Sequence, residues 1–200
     1  VATESARAEQ VSARDTASRY LDLAIEALCT RRRGAVVTMT GLVGTGKSTA
    51  ARVLADAVGR AVVISSDRVR KTGKRLRLSD RAGDKGGLYS EDSRRQVYRE
   101  LIIRAEPVVA SGRIVILDAT FSQADQRQLA IALADKYDLP LLFVETRCRP
   151  ERVVERLGER QRRGVDLSDA GPAFYEESAR RFLPVDIQDY GTHIIVDTGT

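Results

Sequence analysis

Two hundred residues, 42% hydrophobic and 30% charged, fit one α/β domain with a core of its own, long enough to need neither disulfides nor a structural metal. The formal charge of +5, from 33 Lys and Arg against 28 Asp and Glu, suits an anionic ligand but is too small to demand nucleic acid. No apolar run approaches the roughly 20 residues of a bilayer span, nothing at the start of the sequence resembles a signal peptide, and Cys29 and Cys148, far apart in sequence, are not expected to make a disulfide framework or a metal site. The expected address is therefore the cytoplasm, with no membrane partner.

From Thr3 to Leu28, Tyr20, Leu21, Ala24, Ile25 and Leu28 fall on one helical face, and Arg31, Arg32, Arg33 and Gly34 close that helix with cations and a glycine stop. Residues 1–33 read as an N-terminal helix, and residues 34–200 as the domain proper. Because the chain opens on Val1 and not Met, it is expected to be a piece of a longer polypeptide with a partner domain out of view. Ala35–Met39 is a short apolar run of strand type, followed by a glycine-rich turn and a helix from Lys47 to Val58. Ala61–Ser65 is a second strand, and Gly73 to Gly87, basic and without a clear period, reads as a loop.

A helix over Glu91–Ser111 leads into the strand Ile114–Leu117, which ends at Asp118. Ala124–Lys136 is helical, Pro140–Glu145 is a strand, and Pro150 starts a helix reaching Arg163. Gly164–Gly171 interrupts it, Pro172–Phe182 is a further helix, and His193–Val196 is the last strand. Five strands alternating with helices predict an α/β fold of three layers, a parallel five-stranded sheet covered on both faces.

Gly41-Leu42-Val43-Gly44-Thr45-Gly46-Lys47-Ser48 matches the G-x-x-x-x-G-K-[ST] pattern in full and sits between a strand and a helix, where its chemistry requires it. Glycines let consecutive amides turn inward on a chain of phosphates, and the helix behind them adds the positive end of its dipole. Lys47 is expected at the β- and γ-phosphates, the Ser48 hydroxyl on Mg²⁺, and Thr49 at the α-phosphate, which makes ATP with Mg²⁺ the expected ligand. Asp67, after the second strand, is placed to accept the proton of an attacking hydroxyl; a helix cap for Arg68–Lys71 is the plainer role, and the two are compatible. Asp118, at the end of the third strand, has the form of a carboxylate that holds Mg²⁺ through its water shell or polarises the acceptor, against a plainer role as a cap for the helix near Ala124. Arg152 and Arg156, interleaved with Glu151 and Glu155, read as a solvated, salt-bridged face. Arg160 and Arg163 precede a glycine hinge and read as cations that a lid, residues 150–171, delivers to the transferred phosphoryl group. His193 reads as structural or near the adenine, and Phe174, Tyr175 and Phe182 as packing residues.

With these residues in place, the chain resembles the small P-loop kinases that include gluconate kinase, chloramphenicol phosphotransferase, zeta toxins and polynucleotide kinase. It is most similar to the kinase-like ATPase module found behind an aminoglycoside-phosphotransferase-like domain; the resemblance covers Ala35 to Val196 and implies that the N-terminal helix is the tail of a fused preceding domain. It implies a P-loop NTPase fold with a helical lid. It also implies a general-base role for Asp67 and an acceptor-binding role for Arg70, three positions later, as in polynucleotide kinases. The lid arginine that contacts ATP would be Arg163 or Arg160.

The stretch Arg68–Lys85 departs from the resemblance by carrying eight Lys or Arg against two Asp, without the interleaved aromatics on which single-stranded bases stack. This favours a small acidic or polar acceptor over nucleic acid. The expected function is ATP-dependent transfer of the γ-phosphoryl group to a small-molecule hydroxyl. A nucleic-acid 5′-hydroxyl kinase and a regulatory ATP-binding module that controls a fused domain are the alternatives.

Overall fold

A computed structural model describes residues 34–77, 91–163, 172–186 and 191–199. The expected N-terminal helix, the 78–90 part of the basic stretch and the 164–171 hinge lie outside these residues. In chain order the elements are β1 (Ala35–Thr40), α1 (Lys47–Val58), β2 (Ala61–Ser65), α2 (Ser66–Arg77), α3 (Glu91–Ala110), β3 (Ile114–Asp118), α4 (Ala124–Lys136), β4 (Leu141–Arg147), α5 (Pro150–Arg163), α6 (Pro172–Arg181) and β5 (Thr192–Asp197). One correction to the sequence reading stands out. Residues 73–77, expected in a loop, continue α2, because a single mid-helix glycine costs only about 1 kcal/mol among Lys, Arg and Leu, and Val69 anchors the helix in the core.

The five strands form one parallel sheet in the order β2-β3-β1-β4-β5. The central strands β1 and β3 are buried along their whole length, which is why they read as unbroken apolar runs, while the edge strand β5 alternates between exposed and covered residues. Side chains along a strand alternate between the two faces. Val37, Met39, Ile114, Ile116 and Val144 pack under Leu54 and Val58 of α1. Val36, Val115, Leu117 and Phe143 pack on the other face against α3 and α4, through Leu101, Ala105, Ala130 and Ile131. The chain thus leaves β1 toward one face and β3 toward the other, and a crevice opens where the two connections part, at the carboxyl ends of the strands.

Candidate active site

The turn after β1 is shaped by glycines with positive φ: Gly41 at 124°, Gly44 at 77° and Gly46 at 89°. Space as well as torsion requires them. A Cβ on Gly41 would strike the carbonyl oxygen of Thr146, and one on Gly44 would lie 2.7 Å from Cγ1 of Val153 on α5. Three threonines brace the turn from outside. Thr45 Oγ1 donates to the Leu42 carbonyl at 2.7 Å and lies 2.7 Å from Thr146 Oγ1, while Thr198 Oγ1 donates to the Thr45 carbonyl at 2.6 Å. Lys47 opens α1 and its Nζ donates to the Leu42 carbonyl at 2.6 Å, folded back along the turn.

Asp118 shares the α1 face with Ile114 and Ile116 by strand alternation, and this carries its carboxylate to the N-terminal turn of α1. It is 6% exposed, and burial raises its pKa above the ordinary carboxylate value, against the lowering influence of a hydrogen bond with Ser48 and of the Lys47 charge. Nearby Asp67 raises it further. The plainer role expected for Asp118, capping the helix near Ala124, is overturned: the cap of α4 is Gln123, whose N–H donates to the Gln126 side chain at 3.2 Å.

Asp67 stands in the first turn of α2, directly after β2, and accepts from Arg70 Nη1 at 2.9 Å. Beyond them lies Tyr98 of α3, whose hydroxyl accepts from the Phe121 N–H at 3.1 Å and whose pKa burial pushes up to about 12. Phe121, at φ 46°, is a non-glycine residue in the left-handed region, held there by this bond and by an edge contact with the Tyr98 ring at 5.1 Å. Its neighbour Thr120 offers one carbonyl to both Thr40 Oγ1, at 3.0 Å, and the Gly41 N–H, at 3.3 Å. The loop that follows Asp118 is therefore bonded directly to the start of the glycine turn.

One cavity of about 750 Å³ runs from Gly44, Lys47 and Ser48 past Asp118, Asp67 and Tyr98 to Arg70. Thr49 lines it as expected. Side chains of Arg160 and Arg163 lie outside the described residues, as does that of Phe174. Arg156 corrects the sequence reading. Arg152 pairs with Glu155 on an exposed face as expected, but Arg156 turns to the cavity, where Nη2 donates to the Thr198 carbonyl at 2.6 Å. The buried residues of α5, Val153 and Leu157, carried the signal, because Arg156 lies beside their stripe on the helical surface. His193 is structural: on β5 it bonds Glu145 at 3.0 Å, on the sheet face that Phe143 shares, away from α1. Arg94, Tyr98, Gln126, Glu177 and Arg181 line the cavity without any motif to mark them.

A glycine cradle at the end of the central strand, with a carboxylate on the neighbouring strand, defines a P-loop nucleoside-triphosphate fold of the kinase type. The chain belongs to the AAA domain family, which matches residues 36–185. Over 128 residues it is 40% identical to an uncharacterized protein of Mycobacterium tuberculosis, a match that takes in 58% of this chain and 24% of that protein, so the chain spans about a quarter of its relative's length. Among solved structures it is similar to Kti12 from Chaetomium thermophilum in complex with ADP-AlF3 (TM-score 0.62, 18% identity, 82% of this chain and 88% of that one). It is also similar to a sugar kinase from Janibacter sp. HTCC2649 (TM-score 0.60, 16% identity, 82% and 85%). Identities this low establish the fold. Among the described residues, no helix is long and apolar enough to cross a membrane.

Proposed function

We propose that the protein is an ATP-dependent kinase that moves the γ-phosphoryl group to a hydroxyl of a small molecule. The observation that carries this reading is the placement of two carboxylates, Asp118 and Asp67, on the wall of the cavity that the glycine turn opens into. A phosphate-binding turn alone needs neither.

In this reading the amides of Gly44, Gly46 and Lys47 bind the phosphate chain, and Lys47 leaves the Leu42 carbonyl to reach the γ-phosphate. Asp67 accepts the proton of the acceptor hydroxyl as that oxygen attacks the γ-phosphorus and the bond to the β–γ bridging oxygen breaks, releasing ADP. Arg70 steadies the acceptor beside it. Arg160 and Arg163, from the lid helix α5, supply charge to the equatorial oxygens of the transferred group.

The all-oxygen pair of Ser48 and Asp118 fits Mg²⁺, a hard cation usually bound through one or two carboxylates together with substrate phosphates. Bound there, the ion would neutralise charge developing on the phosphates. The complex of Kti12 with ADP-AlF3 supports nucleotide as the ligand in this reading.

The test follows label from [γ-³²P]ATP into a panel of sugars, nucleosides, antibiotics and 5′-hydroxyl oligonucleotides. Lys47→Ala is expected to abolish turnover, and Asp67→Asn to keep ATP affinity while slowing transfer by roughly 10²–10⁴-fold. Normal transfer by Asp67→Asn would remove it as the base. Tight ATP binding with no compound labelled would replace catalysis with nucleotide sensing.

A further inference from the structure

Gln126 stands in the first turn of α4 and is only 9% exposed, yet it lines the cavity and takes no part in the chemistry proposed above. One end of its amide is already committed. Oε1 accepts from the Gln123 N–H at 3.2 Å, the return bond of a helix capping box, and from the Ser122 hydroxyl at 3.5 Å. A backbone N–H can only donate, so the atom that faces it is the amide oxygen, and this fixes which way the amide is turned. Nε2 therefore points away from the cap with two N–H groups, and it makes no hydrogen bond among the described residues. Nor is it sealed in the core, because among the described residues Thr38 Oγ1 is the one fully buried side-chain polar atom without a partner. The surface that Nε2 keeps is the cavity wall.

That wall is fixed from behind. Arg127, the next residue, is 5% exposed and commits its guanidinium to backbone. Nη1 donates to the Phe121 carbonyl at 2.9 Å and the Leu183 carbonyl at 3.1 Å, and Nη2 donates to the Pro184 carbonyl at 3.1 Å. The Leu183 N–H donates to the Ser122 carbonyl at 2.9 Å, and the Gln123 side chain donates to the Arg181 carbonyl. Ser122 and Gln123, the two residues that hold the Gln126 amide, are thus themselves tied to the chain leaving α6. A donor group held so firmly is ready for a ligand before the ligand arrives. A molecule that fills this part of the cavity excludes water from Nε2, and a covered N–H with nothing to donate to weakens binding. An oxygen on that molecule removes the cost.

We propose that Gln126 is an acceptor-binding residue, whose side-chain N–H groups donate to a second oxygen of the acceptor, a hydroxyl or a carbonyl, apart from the hydroxyl that receives the phosphoryl group. The proposal rests on the kinase reading. It adds a residue that selects among acceptors and the kind of group that it selects for.

The experiment takes the full chain with Mg²⁺ and [γ-³²P]ATP over the panel described above, each compound beside counterparts that lack one hydroxyl or carbonyl oxygen, as 2-deoxyribose stands beside ribose. The parent chain is expected to prefer a labelled compound over one such counterpart by at least tenfold in kcat/KM. Gln126→Met should bring that preference to within twofold of unity, while affinity for adenylyl imidodiphosphate stays within twofold of the parent's. Gln126→Glu keeps an oxygen for the Gln123 N–H, so its Tm should match the parent's, and it tells the two kinds of oxygen apart. A hydroxyl can donate to the substituted carboxylate and transfer survives; a carbonyl meets only another hydrogen-bond acceptor and transfer falls at least tenfold. If Gln126→Met does not fold, the parent's own Gln126 side-chain amide, recognised by its absence from the ¹⁵N spectrum of Gln126→Glu, must shift downfield when the labelled compound is added. A role confined to capping α4 would lower the Tm of Gln126→Met and leave the preference untouched, and that result overturns the proposal. So does a parent chain that shows no such preference, or an amide signal that stays in place. A parent chain that binds the nucleotide but labels no compound would instead bring down the kinase reading, and the proposal with it.

Discussion

The two ends of the cavity are built by opposite means. The phosphate end is made of consecutive residues whose backbone does the binding, packed so closely that Gly41 and Gly44 have no room for a methyl group. The far end is made of side chains from α2, α3, α4 and α6, brought together by the sheet order and by one buried arginine. A backbone site can be rigid and generic, since any nucleoside triphosphate presents the same phosphates. A side-chain site is free to vary, and in the proposed kinase variation at this end would change the acceptor while the cradle stays as it is.

The strongest way to break the contrast is Gly41→Ala. Its φ of 124° is closed to other residues and its methyl would meet the Thr146 carbonyl, so nucleotide affinity should fall by 100-fold or more in a fluorescent-nucleotide titration. Affinity close to that of the parent would show that the cradle tolerates side chains as the far end does.

A second test concerns Glu145, on β4 outside both regions. Burial alone would raise its pKa, but hydrogen bonds from His193 and Arg147 outweigh that and hold it at about 2, below the ordinary 4.5. The folded value is lowered, so the stabilisation is present in full above about pH 4.5 and is lost as pH falls toward 2. It amounts to at most about 3 kcal/mol. Glu145→Gln should therefore flatten the fall of Tm across that window; an unchanged slope would mean that the pairing contributes nothing.

The smallest effect separates two arginines one helical turn apart. Arg156→Gln, which gives up the Thr198 carbonyl, should weaken nucleotide binding by roughly tenfold, as expected for one charge-assisted hydrogen bond. Arg152→Gln should leave it within twofold. Equal behaviour of the two variants would return Arg156 to the solvated face.

These contrasts also explain what could be read in advance. The cradle was legible because eight adjacent residues carry it between a strand and a helix. Asp67 and Asp118 were legible because strand ends in a parallel sheet point to one crevice. Arg94, Tyr98, Gln126 and Arg181 were not, because each lies on a helix of ordinary amphipathic pattern and reaches the cavity only through tertiary packing. Arg156 was misread because its spacing with Glu151 and Glu155 imitates a surface ion-pair ladder, while the burial of Val153 and Leu157 beside it depends on contacts with the Gly44 turn. The loop expected over 73–77 shows the reverse case: one glycine suggested a break where the packing of Val69 keeps a helix.

Thr198 has a practical consequence. Its N–H donates to the Arg147 carbonyl at 2.8 Å, its hydroxyl to the Thr45 carbonyl and its carbonyl accepts from Arg156, so β4, the glycine turn and α5 all meet on a residue just past the last strand. Cutting the chain at this threonine, or inserting a reporter directly behind it, would alter the cavity wall itself.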